Sequence, residues 1–352
     1  MAHGNKPPFE VPPGAVAKVS IIDSTLRFSK IKASYMTKPP IEGFNELPTF
    51  PTWSFLVESP SGRKVLFDLG THKELRRCVP RVENHVKSIG WQVDVKEDVA
   101  DILQRHGVDP KEIESVVWSH SHFDHTGDPT TFPASTELVV GPGFKAKWWP
   151  GFPTKPDAQV REEDMAGRKV REINFDDKLK AGPFPAHDFF GDGSFYLLDT
   201  PGHWTGHMAG LARTSTGPDT FIMMGGDLIH HGAELRPSPY TPIPDSLPQE
   251  VSAVESGAWF REMKARLGRK ADQAFVEPSL FEDEHLVMQT IQRTQVADAQ
   301  DNVWFVFAHE ASLFGAVDLF PQPANAWKEK GWKEKVEWKF LGDLVSGRAV
   351  EG

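Results

Sequence analysis

Ser119-His120-Ser121-His122-Phe123-Asp124-His125-Thr126-Gly127 follows without a break on an apolar run, residues 113–118, whose shortness suits a strand. Three imidazoles and a carboxylate within six positions are donors of the kind zinc accepts. In an extended segment His120 and His122 point to the same side, because side chains alternate with period two. The turn into Gly127 can then present Asp124 and His125 from another direction. Two differently aimed groups of donors suit two metal ions better than one. The plain alternative is a loop of surface histidines. Donors at this spacing directly behind an apolar strand argue against it, although any single motif can match by chance.

An apolar strand that ends in a ligand residue recurs three more times. Leu197-Leu198-Asp199-Thr200-Pro201-Gly202-His203 is followed by His207. Ile222-Met223-Met224-Gly225-Gly226-Asp227 comes next, then Val306-Phe307-Ala308-His309. One such strand end would usually be an ordinary polar terminus; the repetition is the signal. Besides residues 113–118, strands are expected at residues 17–22, 53–58, 64–69, 138–140, 195–198, 208–212, 221–224 and 303–307. Ser59-Pro60-Ser61-Gly62 supplies the turn between the second and third of these.

Helices are expected from Val99, over residues 251–267 and over residues 282–297. Asp94 and Glu97 stand at capping-box spacing before the first, and Gly107 stands where a left-handed residue ends it. Pro7, Pro8, Pro12 and Pro13 make the start irregular, and residues 235–248 are again proline-rich. Residues 25–52, with Pro39, Pro40, Pro48 and Pro51, read as a long excursion of the kind that forms a lid. Strands mixed with helices through both halves indicate an α/β or α+β sandwich rather than two unrelated domains.

His-Ser-His-Phe-Asp-His at 120–125 resembles the HxHxDH signature of the metallo-β-lactamase superfamily. Thr-Pro-Gly-His-Trp-Thr-Gly-His at 200–207 resembles its TPGHTxGH element, and Val65-Leu66-Phe67-Asp68-Leu69-Gly70 is similar to its early strand ending in Asp-x-Gly. The motifs occur in family order between about residues 17 and 315. The resemblance implies an α+β fold, a four-layer αβ/βα sandwich with the metal site at one edge. It also implies one domain over residues 1–352, with the lid at 25–52 and a helical insertion at about 235–300. His120, His122 and His203 would hold a first metal, Asp124, His125 and His309 a second, and Asp227 would bridge them. Asp68 would orient a ligand histidine from behind through its ring N–H. His207 is assigned a structural role. The cofactor implied is two Zn2+, with manganese, iron or cobalt compatible with the same donors.

Departures from the family pattern narrow the choice. No cysteine stands where one zinc β-lactamase class has a ligand, which is the pattern of the lactonase, glyoxalase II and RNase Z branches. Three residues after Asp227, where well-known lactonases carry tyrosine, stands His230, followed by His231. Either can polarise a substrate carbonyl, or both can simply cap the site.

Composition bounds the rest. A net charge of -10 argues against a nucleic-acid partner. The densest basic stretch, Lys328 to Lys339, carries Glu329, Glu334 and Glu337 and reads as a solvated face. No apolar run approaches the ~20 residues of a membrane helix, and no secretory signal is evident at the start, so no membrane is expected. The single cysteine, Cys78, reads as a half-buried structural thiol and fits a cytoplasmic location. The sequence accommodates a monomer or a homodimer.

The expected chemistry is attack by a metal-bridging hydroxide on a carbonyl carbon, with Asp124 or His230 delivering a proton to the leaving atom. Aromatic residues in the variable segments are the pocket candidates: Phe28, Tyr35, Met36 and Phe44, then Trp148, Trp149 and Phe152, then Phe189 and Phe190, with His231 beside them. Such a pocket suits a small hydrophobic or aromatic cyclic substrate. Ring opening of a lactone is the expected activity, in the manner of fungal family members that detoxify plant or microbial metabolites. A lactam or cyclic carbamate follows, then a glyoxalase II-like thioesterase, then a mononuclear iron dioxygenase. A non-enzymatic metal-binding protein would be expected to have lost ligands, and none is lost.

Overall fold

Runs such as Trp53–Glu58 and Thr220–Met224 are apolar at nearly every position, the pattern of strands covered on both faces. The computed structural model, which describes residues 6–176 and 178–345, covers them on both. One six-stranded sheet runs in chain order: β1 (Lys18–Asp23), β2 (Trp53–Glu58), β3 (Lys64–Phe67), β4 (Ile113–Val117), β5 (Glu137–Val140) and β6 (Val170–Glu172). The second sheet is likewise six-stranded: β7 (Lys180–Ala181), β8 (Phe184–Asp188), β9 (Phe195–Asp199), β10 (Met208–Ser215), β11 (Thr220–Met224) and β12 (Val303–Val306). β3 through β6 are parallel neighbours, and β12 joins β11 in parallel after the long crossover.

Alternation along the strands builds the layers. Val65 and Phe67 of the first sheet meet Phe195, Leu197, Ile222 and Met224 of the second in the inter-sheet core. Leu66, Val116 and Leu138 face outward onto Ile102 and Leu103 of a helix, Val99–Arg105. Tyr196, Leu198 and Met223 face outward onto Val287 and Ile291 of another, Glu284–Asp298. The result is helix, sheet, sheet, helix, as the resemblance implies.

A further apolar cluster lies beyond these layers. Phe28, Ile31, Met36 and Phe50 of the 25–52 excursion pack with Phe260 and Phe275 from the chain before β12 and with Phe340 near the end. The excursion is therefore a packed wall rather than a loose loop, and it contains a short strand, Arg27–Ser29, and one helical turn, Ala33–Met36.

Several expectations need correction. Asp94 lies in a short strand, Gln92–Asp94, and caps nothing; Glu97 instead pairs with Arg105. The helix expected over 251–267 is two, Gln249–Ser252 and Gly257–Arg266, because the Ser256 side chain accepts from the Trp259 N–H and starts a new helix there. Within residues 235–300, the helix Glu284–Asp298 packs on the outer face of the second sheet. The 328–339 stretch is not simply a solvated face. Lys333 is buried, and its ammonium donates to the carbonyls of Gln300 and Val303. Cys78 is buried rather than half-buried, and burial pushes its thiol up to about 12. The proline-rich start is described only from residue 6 onward. Among the described residues, no helix is long and apolar enough to cross a membrane.

One buried ion pair ties the site's flank to the outer helix. The Arg236 guanidinium donates to both carboxylate oxygens of Asp298, at 2.9 Å through Nε, with side chains 4% and 1% exposed. Asp298→Ala leaves the buried Arg236 with the more distant Glu337 carboxylate, 3.9 Å from its Nε, as its remaining ion-pair partner. It is expected to cost about 3–5 kcal/mol of unfolding free energy, read from urea melts of the variant beside the parent protein.

Candidate metal centre

Each candidate ligand lies just past the C-terminal end of a strand. Parallel pairing sets β11 and β12 side by side with Met224 opposite Val306, so the segments leaving them run together. The Gly225 N–H donates to the Val306 carbonyl at 2.7 Å, and the Ala308 N–H donates to Gly226 at 2.9 Å. Asp227 and His309 follow directly. Gly226 has φ +52, and a Cβ there would meet Ser119 and His207 at 2.9 Å, so only glycine lets the chain pass between them. On the other sheet, β3 and β4 bring Asp68 beside the 119–125 loop, where the Asp68 N–H donates to the Val117 carbonyl at 2.8 Å.

The seven residues converge in two groups that share Asp227. His120, His122, His203 and Asp227 form one; Asp124, His125, Asp227 and His309 form the other. In each group the ligand atoms lie within 4.8 Å of one another. His120 Nε2 is 2.8 Å and His203 Nε2 is 3.2 Å from His122 Nδ1. Asp227 Oδ1 is 3.1 Å from both His125 Nε2 and His309 Nε2.

The outward nitrogens are held from behind. His125 Nδ1 lies 2.8 Å from Asp68 Oδ2, His309 Nδ1 lies 2.8 Å from the Pro51 carbonyl, and His203 Nδ1 lies 3.2 Å from the Leu280 carbonyl. The Ser119 N–H and hydroxyl both donate to Asp68, at 2.6 and 2.7 Å. Asp68 has φ 59, a strained setting for a non-glycine residue, and these bonds hold it there.

This donor set fits a pair of divalent cations. Burial holds His120 and His203 well below the ordinary imidazole range and pulls His122 down to about 4, so these rings are neutral and keep lone pairs. Burial works against ionisation of Asp227, but the adjoining His125 and His309 hold its carboxyl well below the usual carboxylate range. His125 Nε2 and Asp227 Oδ1 are buried without an aligned hydrogen-bond partner, as expected of atoms that face an ion.

The flanking histidines have distinct surroundings. His207 Nε2 accepts from the Asp227 N–H at 3.1 Å, a backbone-holding position. His230 is buried with Nε2 3.6 Å from Asp227 Oδ2 and Nδ1 3.8 Å from Glu234 Oε1. His231 turns away. Its Nε2 lies 3.3 Å from Asp343, its ring lies 4.9 Å from Phe44, and it lines a separate cavity of about 140 Å3.

A cavity of about 300 Å3 opens onto His122, Asp124, Asp227 and His309. Phe28, Tyr35 and Met36 line it, whereas Phe44, Trp148, Trp149, Phe152, Phe189, Phe190 and His231 do not. Trp148 is buried against the outer face of the first sheet, stacked 6.3 Å from Trp204, while Trp149 is 46% exposed. Phe189 and Phe190 pack at the inter-sheet core. Sequence reasoning missed Trp204 and Phe123, which sit inside the histidine motifs, and the helix α1 (Pro80–Ile89), whose Val82 and Val86 form a wall. Pro80 at its first turn and Gly90 at φ 74 after its end were the available signals.

A family model described as Metallo-beta-lactamase superfamily matches residues 47–256. "Gamma-lactamase FDB1" of Fusarium pseudograminearum is 42% identical over 355 residues, covering 96% of this chain and 85% of that protein. "Cytochrome P450 monooxygenase mpaDE" of Penicillium roqueforti is 39% identical over 355 residues. That match covers 98% of this chain but only 39% of the longer protein. Among solved structures, a B. thuringiensis AiiA mutant with N-decanoyl-L-homoserine bound at the active site aligns with TM-score 0.58 at 16% identity, over 88% of this chain and 99% of that one. That likeness shows a shared fold.

Asp68→Ala removes at once the acceptor of the Ser119 N–H, of the Ser119 hydroxyl and of the His125 ring. It is expected to cost about 2–5 kcal/mol in a urea melt and to weaken zinc binding about 10–100-fold in competition with a chelator. Asp68→Asn should lose less stability.

Proposed function

This chain belongs to the metallo-β-lactamase superfamily and is a metal-dependent hydrolase; from that premise we propose that it opens the acyl ring of a compact aromatic bicyclic substrate. The observation that carries this is a single cavity with the converged ligands as its floor and aromatic rings as its walls. Phe28 stands 5.8 Å from Phe123 and 6.0 Å from Trp91, both edge to face, and Trp204 lies 4.2 Å from the His122 ring. These contacts join the rings into a continuous aromatic wall, which favours an apolar, flat substrate and keeps bulk water from it.

His120, His122 and His203 would hold one divalent ion, Asp124, His125 and His309 the other, with Asp227 shared. Two such ions supply Lewis acidity and a water that ionises near neutral pH. Asp124 lines the cavity, with Oδ2 3.4 Å from His125 Nε2 and 3.6 Å from His309 Nε2. As a carboxylate it is the group placed to take the proton of the water that adds to the acyl carbon and to pass it to the leaving atom as the ring bond breaks. His230 does not line that cavity and faces Asp227 instead. We therefore assign it to orienting Asp227 rather than to polarising the substrate.

The ring is read as a γ-lactam before a lactone. The relative named a gamma-lactamase is 42% identical over nearly the whole chain, whereas the likeness to homoserine lactonases is one of fold.

The test is metal content of the purified protein, followed in the same sample by hydrolysis of benzo-fused lactams and lactones. We expect about two zinc ions per chain, activity lost in chelator, and metal and activity lost together in Asp227→Ala. Trp204→Ala should raise KM about tenfold, close to 1.4 kcal/mol of lost contact. About one iron per chain with no ring opened would sink this reading in favour of an oxygenase.

A further inference from the structure

We propose that the outer end of the cavity is an anion subsite in which Arg81 takes a carboxylate carried on the aromatic part of the substrate. The inference rests on the ring-opening reading and adds a substrate class to it.

The cavity can be followed ring by ring away from the ligands. Phe28 is 6.2 Å from His309, Trp91 is 6.0 Å from Phe28, and Tyr35 is 4.9 Å from Trp91. The Tyr35 hydroxyl then meets His85 Nε2 at 3.1 Å. Arg81 precedes His85 by one turn on the same face of α1, and both line the cavity with Val82 and Val86. Phe28 and Trp91 thus lie between this polar end and the ligand histidine along the cavity wall, so a group held here belongs to the part of the substrate remote from the bond that breaks.

Charge at this end is unspent. Cations near Arg81 in sequence are paired: Arg76 with Glu74, Arg77 with Asp128, Lys87 with Glu83. Arg81 makes no ion pair among the described residues, and its polar contact is a long one, Nη1 to the Asp157 carbonyl at 3.4 Å. Gln159, two residues on, also lines the cavity, and its Oε1 is buried without a partner. The carboxylates lining the cavity are Asp124 and Asp227, both engaged by histidines. A guanidinium on an apolar wall matches a carboxylate in a planar, two-pronged pair.

The test uses the metal-loaded enzyme and a pair of benzo-fused ring substrates that differ only by a carboxylate or a carboxamide on the carbocycle. The acid should be preferred about tenfold in kcat/KM, close to 1.4 kcal/mol. Arg81→Ala should erase that ratio through KM, and Arg81→Lys should restore part of it. A ratio near one in the parent enzyme, or one unchanged in Arg81→Ala, overturns the proposal. If neither compound is hydrolysed, binding of the same pair is read by quenching of the cavity tryptophans. A carboxylate preference that depends on Arg81 then upholds the subsite while the ring-opening reading fails, and its absence overturns both.

Discussion

The Asp227 carboxylate is shared by both groups of donors, and the architecture around it exists to hold that one acid in place. Its oxygens lie against five imidazole rings, those of His120, His125, His203, His230 and His309, at 3.1 to 3.7 Å. Charge and lone pairs gathered in a buried volume are costly unless each is matched. The matching is spread over both sheets. Asp68 and Ser119 come from the first sheet, His207 and Gly226 from the second, and Pro51 from the wall segment.

This requirement explains why the sandwich edge is built from parallel strands. Parallel neighbours present their C-terminal ends on the same side, so the loops that leave them meet without long reach. β3 and β4 deliver Asp68 and the histidine cluster in this way, and β11 and β12 deliver Asp227 and His309. The strands themselves are spent on burial, with one face in the inter-sheet core and the other under a helix. Polar chemistry is thereby confined to the rim, where a small cavity can reach it.

The pocket is built by a different logic. Its walls come from the 25–52 excursion, the start of α1, the 119–125 loop and Trp204, brought together by an apolar cluster outside the sandwich layers. That cluster also recruits residues 260–275 and the chain near Phe340, so segments far apart in sequence jointly set the pocket's shape. A proline-rich excursion can do this because it is pinned at many apolar points as well as by two short ladders, Arg27–Ser29 with Gln92–Asp94 and Thr37–Lys38 with Glu277–Pro278.

Residue order alone marked the candidate donors and most of the strands, and the family resemblance carried by their motifs implied the four-layer sandwich. His120, His122, Asp124 and His125 follow one apolar strand, and Asp227 and His309 end two others. Strand periodicity and motif spacing are local properties, and metal-type donors announce their chemistry by residue type. Tertiary structure decided which aromatic residues see the substrate. Trp148 and Trp149 look as suitable in sequence as Trp204, yet one is packed under a sheet and the other faces solvent. His230 and His231 are neighbours, yet one faces Asp227 and the other contacts Asp343 at 3.3 Å. Which face a side chain takes in irregular backbone depends on contacts hundreds of residues away, and no local period encodes them.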